Sequence, residues 1–535
     1  MSFDLSYPDE FELPDPEWDY GLAEEVDHDE DNGDWSGTSW PISAMLGSKM
    51  HELFACSKTV LAQSFDNLAF ILILCLIWRL LYMLLVSIFC TSGKRNRVPV
   101  IILHIASIIQ GILTLYHIFE DRALVILSFI TSLAWIFALH RSLSIWSTRV
   151  GYRLFPSVAV LFCITFQLYG EFCMNPSQWH QMRGCIMILI MKAVSFSSDV
   201  DRAYLKKEKF HTVSLINSVW YRALAWSSYA LCPASIIFGP WIEFSRFEHL
   251  ISVPFEGVDL IPAGTLFRSL LYQSLCSTKH AGHSAIVALF SLIWSTCISH
   301  VLSTSVWRMR WLNAYVASQS FRFSHYFVSY SSDTFLATFG VGYSVANGDQ
   351  PARSPIDGAV HVTHMLEMEF PRSLVEIVVN WNLPMHTWLK YYVYKPVRPY
   401  GHMYAILATY TVSSLLHGIN FQLSAVLLSI GIFAYIEFGL REVLARTLNS
   451  CVGSRRCRDN CRHIYKDECV LVRLCNLAFA CLAVFHLAYL AVMFDTSEQQ
   501  EHGYSMSHAL QKWSDLGFVN HYVALATYLF YRCIL

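Results

Sequence analysis

Charge is scarce in this chain, and one sign of it is missing from the start. Only 15% of the 535 residues are charged, against about 25% in soluble proteins. With 54% hydrophobic and 15% aromatic residues and a mean hydropathy of +0.38, that deficit excludes an ordinary water-soluble domain. The first 48 residues hold 14 acids and no Lys or Arg. The opening segment MSFDLSYPDEFELPDPEWDY has neither a basic n-region nor an apolar h-region, so it does not read as a cleavable signal peptide. It reads as a disordered acidic tail, with membrane insertion left to the first internal apolar run. Of the 41 acids, 27 remain beyond it against 38 bases, so the body of the chain is basic.

Other absences narrow the function. There is no GxSxG elbow for a serine nucleophile, no HExxH, and no Walker loop. No regular series of intramembrane Arg suggests a voltage sensor. No repeat of fixed period is visible, and nothing points to nucleic acid. No Asn-x-Ser/Thr acceptor stands out, since Asn175 is followed by Pro. No CxxC pair occurs among the 16 cysteines, most of which sit in apolar runs as small hydrophobes. One group differs: Cys451, Cys457, Cys461, Cys469 and Cys475, interleaved with Arg455, Arg456, Arg458 and Arg462. Its spacing argues against zinc, and no metal is expected. Reduced thiols, or S-acylation of a basic juxtamembrane loop, are the readings it supports.

What is abundant is apolar sequence in runs near the ~20 residues that span a bilayer. Asp66–Cys90, Val98–Phe119, Ala123–Leu139 and Leu154–Cys173 come first. Gly184–Phe196 is shorter and reads as re-entrant. Leu215–Pro240 is broken by Pro233 and Gly239-Pro240. Leu266–Cys276, Ala285–Leu302, Ala314–Phe339, Val470–Phe494 and Phe518–Leu535 follow, and Gly340–Arg372 is a polar break. The expected division is a tail over 1–60 and one membrane domain over 61–535. Basic loops at Lys94–Arg97, Arg141–Arg153 and Arg202–Lys209 alternate with loops poor in Lys and Arg. The positive-inside rule then puts the acidic tail in the lumen and the Cys/Arg loop 446–468 and the C-terminus in the cytosol.

Residues 376–441 carry the polar groups that apolar sequence should not tolerate. His417 closes the run AILATYTVSSLL, and Asn382 stands between Trp381 and Leu383-Pro384. A polar group in hydrocarbon costs several kcal/mol unless partnered, so such residues point to function. On a helix from Tyr404 to Gly418, Tyr410, Ser413 and Ser414 would share a face with His417. A neutral imidazole there could take a proton from a hydroxyl, although helix packing is an equally physical use for it. His104, His117, His140, His300, His325 and His486 are rivals on the same grounds. Asn382 could cap a helix at a Pro-induced break or aim an amide at a reacting carbonyl. Lys390, Lys395 and Arg398, among Trp388, Tyr391, Tyr392 and Tyr394, form either an interfacial belt or a docking surface for a phosphate-bearing cofactor.

A His in SSLLHG, 35 residues after an Asn in WNLPM, resembles the membrane-bound O-acyltransferase family. VVNWNLPMHTWL, FQLSAVLLS, the CRDNC region, VFHLAYL and KWSDL…FYR are similar to its members that modify Wnt proteins. So are FGPWIEF at Phe238–Phe244 and SFRFSHYFV at Ser320–Val328. The resemblance is dense from residue 225 onward, thinner before it and absent over the tail. It implies an all-α polytopic bundle of roughly 9–12 transmembrane helices, with re-entrant segments, around an internal reaction tunnel. It also implies an endoplasmic-reticulum enzyme that moves palmitoleoyl from palmitoleoyl-CoA to a Wnt serine. His417 and Asn382 would be its catalytic pair, with Trp381, Tyr410 and Ser413 lining the acceptor site. Alternatives are an acyltransferase for a lysophospholipid or another secreted protein, and a transporter or receptor that uses the same polar pair.

Overall fold

The computed structural model describes residues 42–89, 97–146, 151–206, 219–252, 255, 263–304, 310–342, 360–457, 460–494 and 506–535. The acidic start, Lys94-Arg95, the NGDQPARSP stretch and the acidic loop from Asp495 lie outside them. Every regular element described is helical, and one isolated bridge joins Ser450 to Tyr465. In chain order the helices are α1 (Ile42–Phe89), α2 (Val98–Phe119), α3 (Ala123–Trp146), α4 (Gly151–Cys173), α5 (Pro176–Lys206) and α6 (Val219–Ala230). Next are α7 (Phe244–Ser252), α8 (Ala263–Ile293), α9 (Ser299–Thr304) and α10 (Arg310–Phe339). The C-terminal part contributes α11 (Met365–Glu369), α12 (Leu374–Trp381), α13 (Leu383–Leu389), α14 (His402–Leu416), α15 (Phe421–Thr447), α16 (Val470–Ala491), α17 (Met506–Asp515) and α18 (Val519–Ile534).

Five described stretches are long and apolar enough to cross a membrane: Lys49–Phe89, Val98–Leu139, Phe267–Leu302, Phe421–Thr447 and Val470–Ala491. The second is divided at Glu120, whose φ of 51° breaks the path between α2 and α3. α1 shows why these helices need lipid. It buries Ile71, Cys75, Trp78, Tyr82 and Val86 while exposing Ile73, Leu80, Leu84 and Ile88. A helix apolar on both its packed and its open face belongs in hydrocarbon. The chain is an all-α, multi-pass membrane protein.

Some expected spans change. Gly184–Phe196 is not a separate short piece but the middle of the 31-residue α5. Leu266–Cys276 and the first half of Ala285–Leu302 belong to the continuous α8, which runs on through a π-helical turn at Trp294–Ile298. Of the polar residues between them, Ser277 donates to the Ala337 carbonyl and Ser284 is buried, while Thr278, Lys279 and His283 stay on the open face of the helix. The first helix begins at Ile42, inside the stretch read as tail. Its 48 residues would extend about 72 Å, well beyond a hydrocarbon core about 30 Å thick. Val60 and Leu61 pack against the cluster of Ala288, Leu292 and Phe327. A disulfide from Cys56 to Cys297 ties α1 to the π-helical turn, so these two cysteines are not small hydrophobes.

Two cores meet along α10. The larger joins α1–α7 with the irregular segment after α6, and reaches Phe335 and Phe339 on α10. The smaller joins Phe323 and Tyr326 of α10 to α12 and α15–α18. Pro233 and Gly239-Pro240 do end α6 early, and the chain then runs irregularly but buried. Its exposed carbonyls would be costly in that setting. Lys192 Nζ donates to the carbonyls of Tyr229 (2.9 Å) and Ala230 (3.4 Å) and to Ser235 Oγ (2.9 Å). Trp241 Nε1 donates to Ser195 Oγ, and Ser332 Oγ to the Phe238 carbonyl, which locks FGPWIEF between α5 and α10.

Candidate active site

Asn382 stands at a helix break. Ser373 caps the start of α12 by accepting from Glu376 N, and α12 ends after Trp381, with Asn382 at φ −150° and ψ 92°. Pro384 then falls in the first turn of α13, where its missing N–H is harmless. Asn382 Oδ1 accepts from Met385 N at 2.9 Å, so the side chain is the N-cap of α13. A break inside a bundle frees backbone groups, and several are met by side chains and by a neighbouring segment. His325 Nε2 donates to the Trp381 carbonyl (2.8 Å), and Thr363 Oγ1 to the Asn380 carbonyl (2.8 Å). Leu383 N donates to the Val362 carbonyl (2.8 Å). Buried Asp333 holds that partner strand of backbone by accepting from Val362 N. The amide nitrogen of Asn382 donates to no described residue.

His417 also stands at a break rather than within a helix. α14 ends at Leu416, and His417 (φ −82°, ψ −1°) caps it with its N–H on the Ser414 carbonyl. Gly418 at φ +99° turns the chain, a conformation that glycine adopts freely. Asn420 then caps α15 through Gln422 N. The charged ends of two side chains pack close to it: a Cβ at Gly418 would lie 2.3 Å from Glu171 Oε1 and 2.8 Å from Arg183 Nη1. Glu171 and Arg183 form an ion pair at 4.0 Å, so α4 and α5 press a charged pair against the turn beside His417. His325 stacks on Trp381 at 4.4 Å between ring centroids. His325 thus anchors the break that carries Trp381-Asn382.

The rival histidines sort themselves by their partners. His104 meets Ser228 and Tyr221, His325 the Trp381 carbonyl, and His486 Asn520. His117 stacks on Phe70, and His300 faces Glu52. The side chain of His140 lies outside the described residues. The half-buried imidazole of His417 makes no hydrogen bond to any described residue. Tyr410 packs its ring against Gly431, and Ser414 bonds Ser424, so much of the expected polar face is spent on docking α14 to α15. Ser413 is buried. Lys390, Lys395 and Arg398 are exposed on the helical run after α13. Lys395 lies over the Tyr391 ring at 3.9 Å, while Tyr392 and Trp388 bond Asp199 and Met191 and pin the run to α5. Arg183 and Glu171 escaped sequence reasoning. Each reads as an ordinary loop-end charge until the fold sets both against Gly418.

Residues 112–438 match the model of the membrane-bound O-acyltransferase family, a stretch that contains both breaks. The chain belongs to this family. Among curated proteins, it is 32% identical to the human protein-serine O-palmitoleoyltransferase porcupine over 90% of this chain and 97% of that protein. The Anopheles gambiae protein of the same name is 31% identical over 81% and 85% of the two chains. Lysophospholipid acyltransferase 2 of Arabidopsis thaliana is 26% identical over 46% of this chain and 55% of that protein. As a member of an acyltransferase family, the chain needs an acyl donor and an acceptor hydroxyl.

Proposed function

We propose that this protein transfers palmitoleoyl from palmitoleoyl-CoA to a serine hydroxyl of Wnt proteins in the endoplasmic reticulum membrane. The observation that carries the acceptor class is the similarity to protein-serine O-palmitoleoyltransferases along nearly their whole length. The lysophospholipid enzymes match about half of either chain. The observation that supports the site is a pair of helix breaks, each presenting a polar side chain with unused hydrogen-bonding capacity.

In this reading the serine oxygen attacks the thioester carbonyl carbon while His417 takes the hydroxyl proton. The amide N–H of Asn382 donates to the oxyanion that forms. The tetrahedral adduct collapses by breaking the carbon–sulfur bond, and the proton on His417 passes to the CoA sulfur. Trp381 forms a wall, its ring held by His325, and Tyr410 and Ser413 support the acceptor side. Lys390, Lys395 and Arg398 receive the CoA phosphates, with the flat guanidinium of Arg398 suited to bidentate contact. The exposed cations favour a cytosolic position for that run, the side where the thioester is made. The Cys56–Cys297 disulfide favours an oxidising, lumenal position for the N-terminal end of α1. The C-terminus would then be cytosolic, as the positive-inside rule expects.

The test uses purified protein, labelled palmitoleoyl-CoA, and a Wnt peptide with its acceptor Ser present or replaced by Ala. Transfer should occur only to the Ser peptide. His417→Ala should lower it by about 10²–10⁴-fold, the usual contribution of a general base, without loss of folded protein. Transfer to a lysophospholipid in place of the peptide would move the chain to the other branch of the family. Full activity of His417→Ala would remove the base from the scheme.

A further inference from the structure

The cysteine-rich loop after α15 is folded around four donor atoms. Cys451 Sγ lies 3.6 Å from Cys461 Sγ and 3.5 Å from His463 Nδ1, and Cys457 Sγ lies 3.4 Å from the same nitrogen. All four donors fall within 4.8 Å of one another. A tetrahedral zinc ion takes thiolates at about 2.3 Å and imidazole nitrogen at about 2.0–2.1 Å. Those bond lengths require S···S separations of about 3.8 Å and S···N separations of about 3.5 Å. The three spacings given meet that requirement. They are far too long for a disulfide, whose sulfurs stand at about 2.05 Å, and these three cysteines are free.

The backbone around them is a built scaffold. Cys451 N donates to the Tyr465 carbonyl (2.9 Å), and both Ile464 N and Tyr465 N donate to Asn449, which adopts φ 46°. The bridge Ser450–Tyr465 therefore brings the first ligand and His463 to one end of the loop. The outgoing carbonyls are claimed by two arginines. Arg372 donates to Cys451 (2.6 Å) and Gly453 (3.2 Å). Fully buried Arg441 donates to Val452 (2.8 Å), Gly453 (3.1 Å) and Arg372 (2.7 Å). Ser373, the N-cap of α12, donates to the Ser454 carbonyl (2.9 Å).

We propose that Cys451, Cys457, Cys461 and His463 hold a structural zinc ion that fixes the loop against the start of α12, the helix that ends at Trp381-Asn382. Four protein ligands close the coordination sphere, so the ion is structural and not catalytic. Each thiol loses its proton on binding, and the ion carries no redox change. The spacing Cys-x5-Cys-x3-Cys-x-His contains no CxxC, and the fourth ligand is a histidine outside the cysteine series. A search by motif passes over it.

The experiment is metal analysis of the full-length protein, purified in detergent through a tag without histidines and with no chelator. About one zinc per chain is expected, with a zinc X-ray absorption edge fitted by three sulfurs and one nitrogen. Cys457→Ser and Cys461→Ser should each lose most of the zinc, whereas Cys469→Ser and Cys475→Ser should retain it. Zinc removal by a strong chelator should also open the loop to trypsin at Arg455, Arg456 and Arg462. Folded wild-type protein that contains no zinc, or peptide mapping that shows a Cys451–Cys461 disulfide, overturns the proposal. So does full retention of zinc by Cys457→Ser. The wild-type content and absorption edge decide the matter even where a variant fails to fold.

Discussion

Asn382 has a structural use and a chemical one, at opposite ends of its amide. Its Oδ1 caps α13 by accepting from Met385 N, and its N–H groups are left for a ligand. Asp caps helices as well as Asn does. Asn382→Asp therefore keeps the cap but removes the donor and adds a charge near the reacting carbonyl. Acyl transfer should fall about 10²-fold, the scale of one lost oxyanion donor, while the unfolding temperature in detergent stays close to wild type. Wild-type turnover by Asn382→Asp would leave Asn382 a cap and nothing more. His417 shows what was legible at this scale. Its placement at the end of an apolar run was plain. That it would sit beyond the helix, at a glycine with φ +99° and beside Glu171 and Arg183, depended on the distant helices α4 and α5.

At the scale of elements, α10 binds the two cores, and its buried charge does part of that. Arg322 donates to both oxygens of Glu369 at the end of α11 (2.8 and 2.9 Å), and Tyr326 OH donates to the same carboxylate. A bidentate pair of this kind fixes both distance and angle. Glu369→Ala strands a buried guanidinium and should cost about 3–5 kcal/mol, read as a loss of thermal stability in detergent. The double substitution Arg322→Met with Glu369→Leu should recover much of it, since both charges then leave together. A single variant as stable as wild type would show that the pair contributes little. The sequence presents Arg322 as an interruption in an apolar run. Its partner lies 47 residues away across a polar break, so no local pattern joins them.

For the whole molecule, the Cys56–Cys297 link closes 241 residues of chain and joins α1 to the turn after α8. Cross-links over long loops typically add about 2–4 kcal/mol. Cys56→Ser, and equally Cys297→Ser, should lower thermal stability by that order, and peptide mapping without reductant should recover the two cysteines as one cross-linked peptide. Alkylation of both thiols in the untreated native protein would refute the link. The two cysteine populations also divide by chemistry. One pair is oxidised at the N-terminal end of the bundle, and the thiols at Cys451, Cys457 and Cys461 are free around His463.

By itself the sequence determined the class of molecule, because solvent preference is a sum over residues. Scarce charge and long apolar runs demand lipid, and apolar runs of that length in lipid must be helical to satisfy their backbones. It also determined that Asn382 and His417 are costly where they stand. Tertiary structure alone decided which polar groups meet. The merger of two apparent spans into α8, the ion pair against Gly418, the contact of His325 with Trp381, and the gathering of Cys451, Cys457, Cys461 and His463 all arise from packing between distant segments. A one-dimensional pattern carries the period of a helix but not the identity of its neighbour.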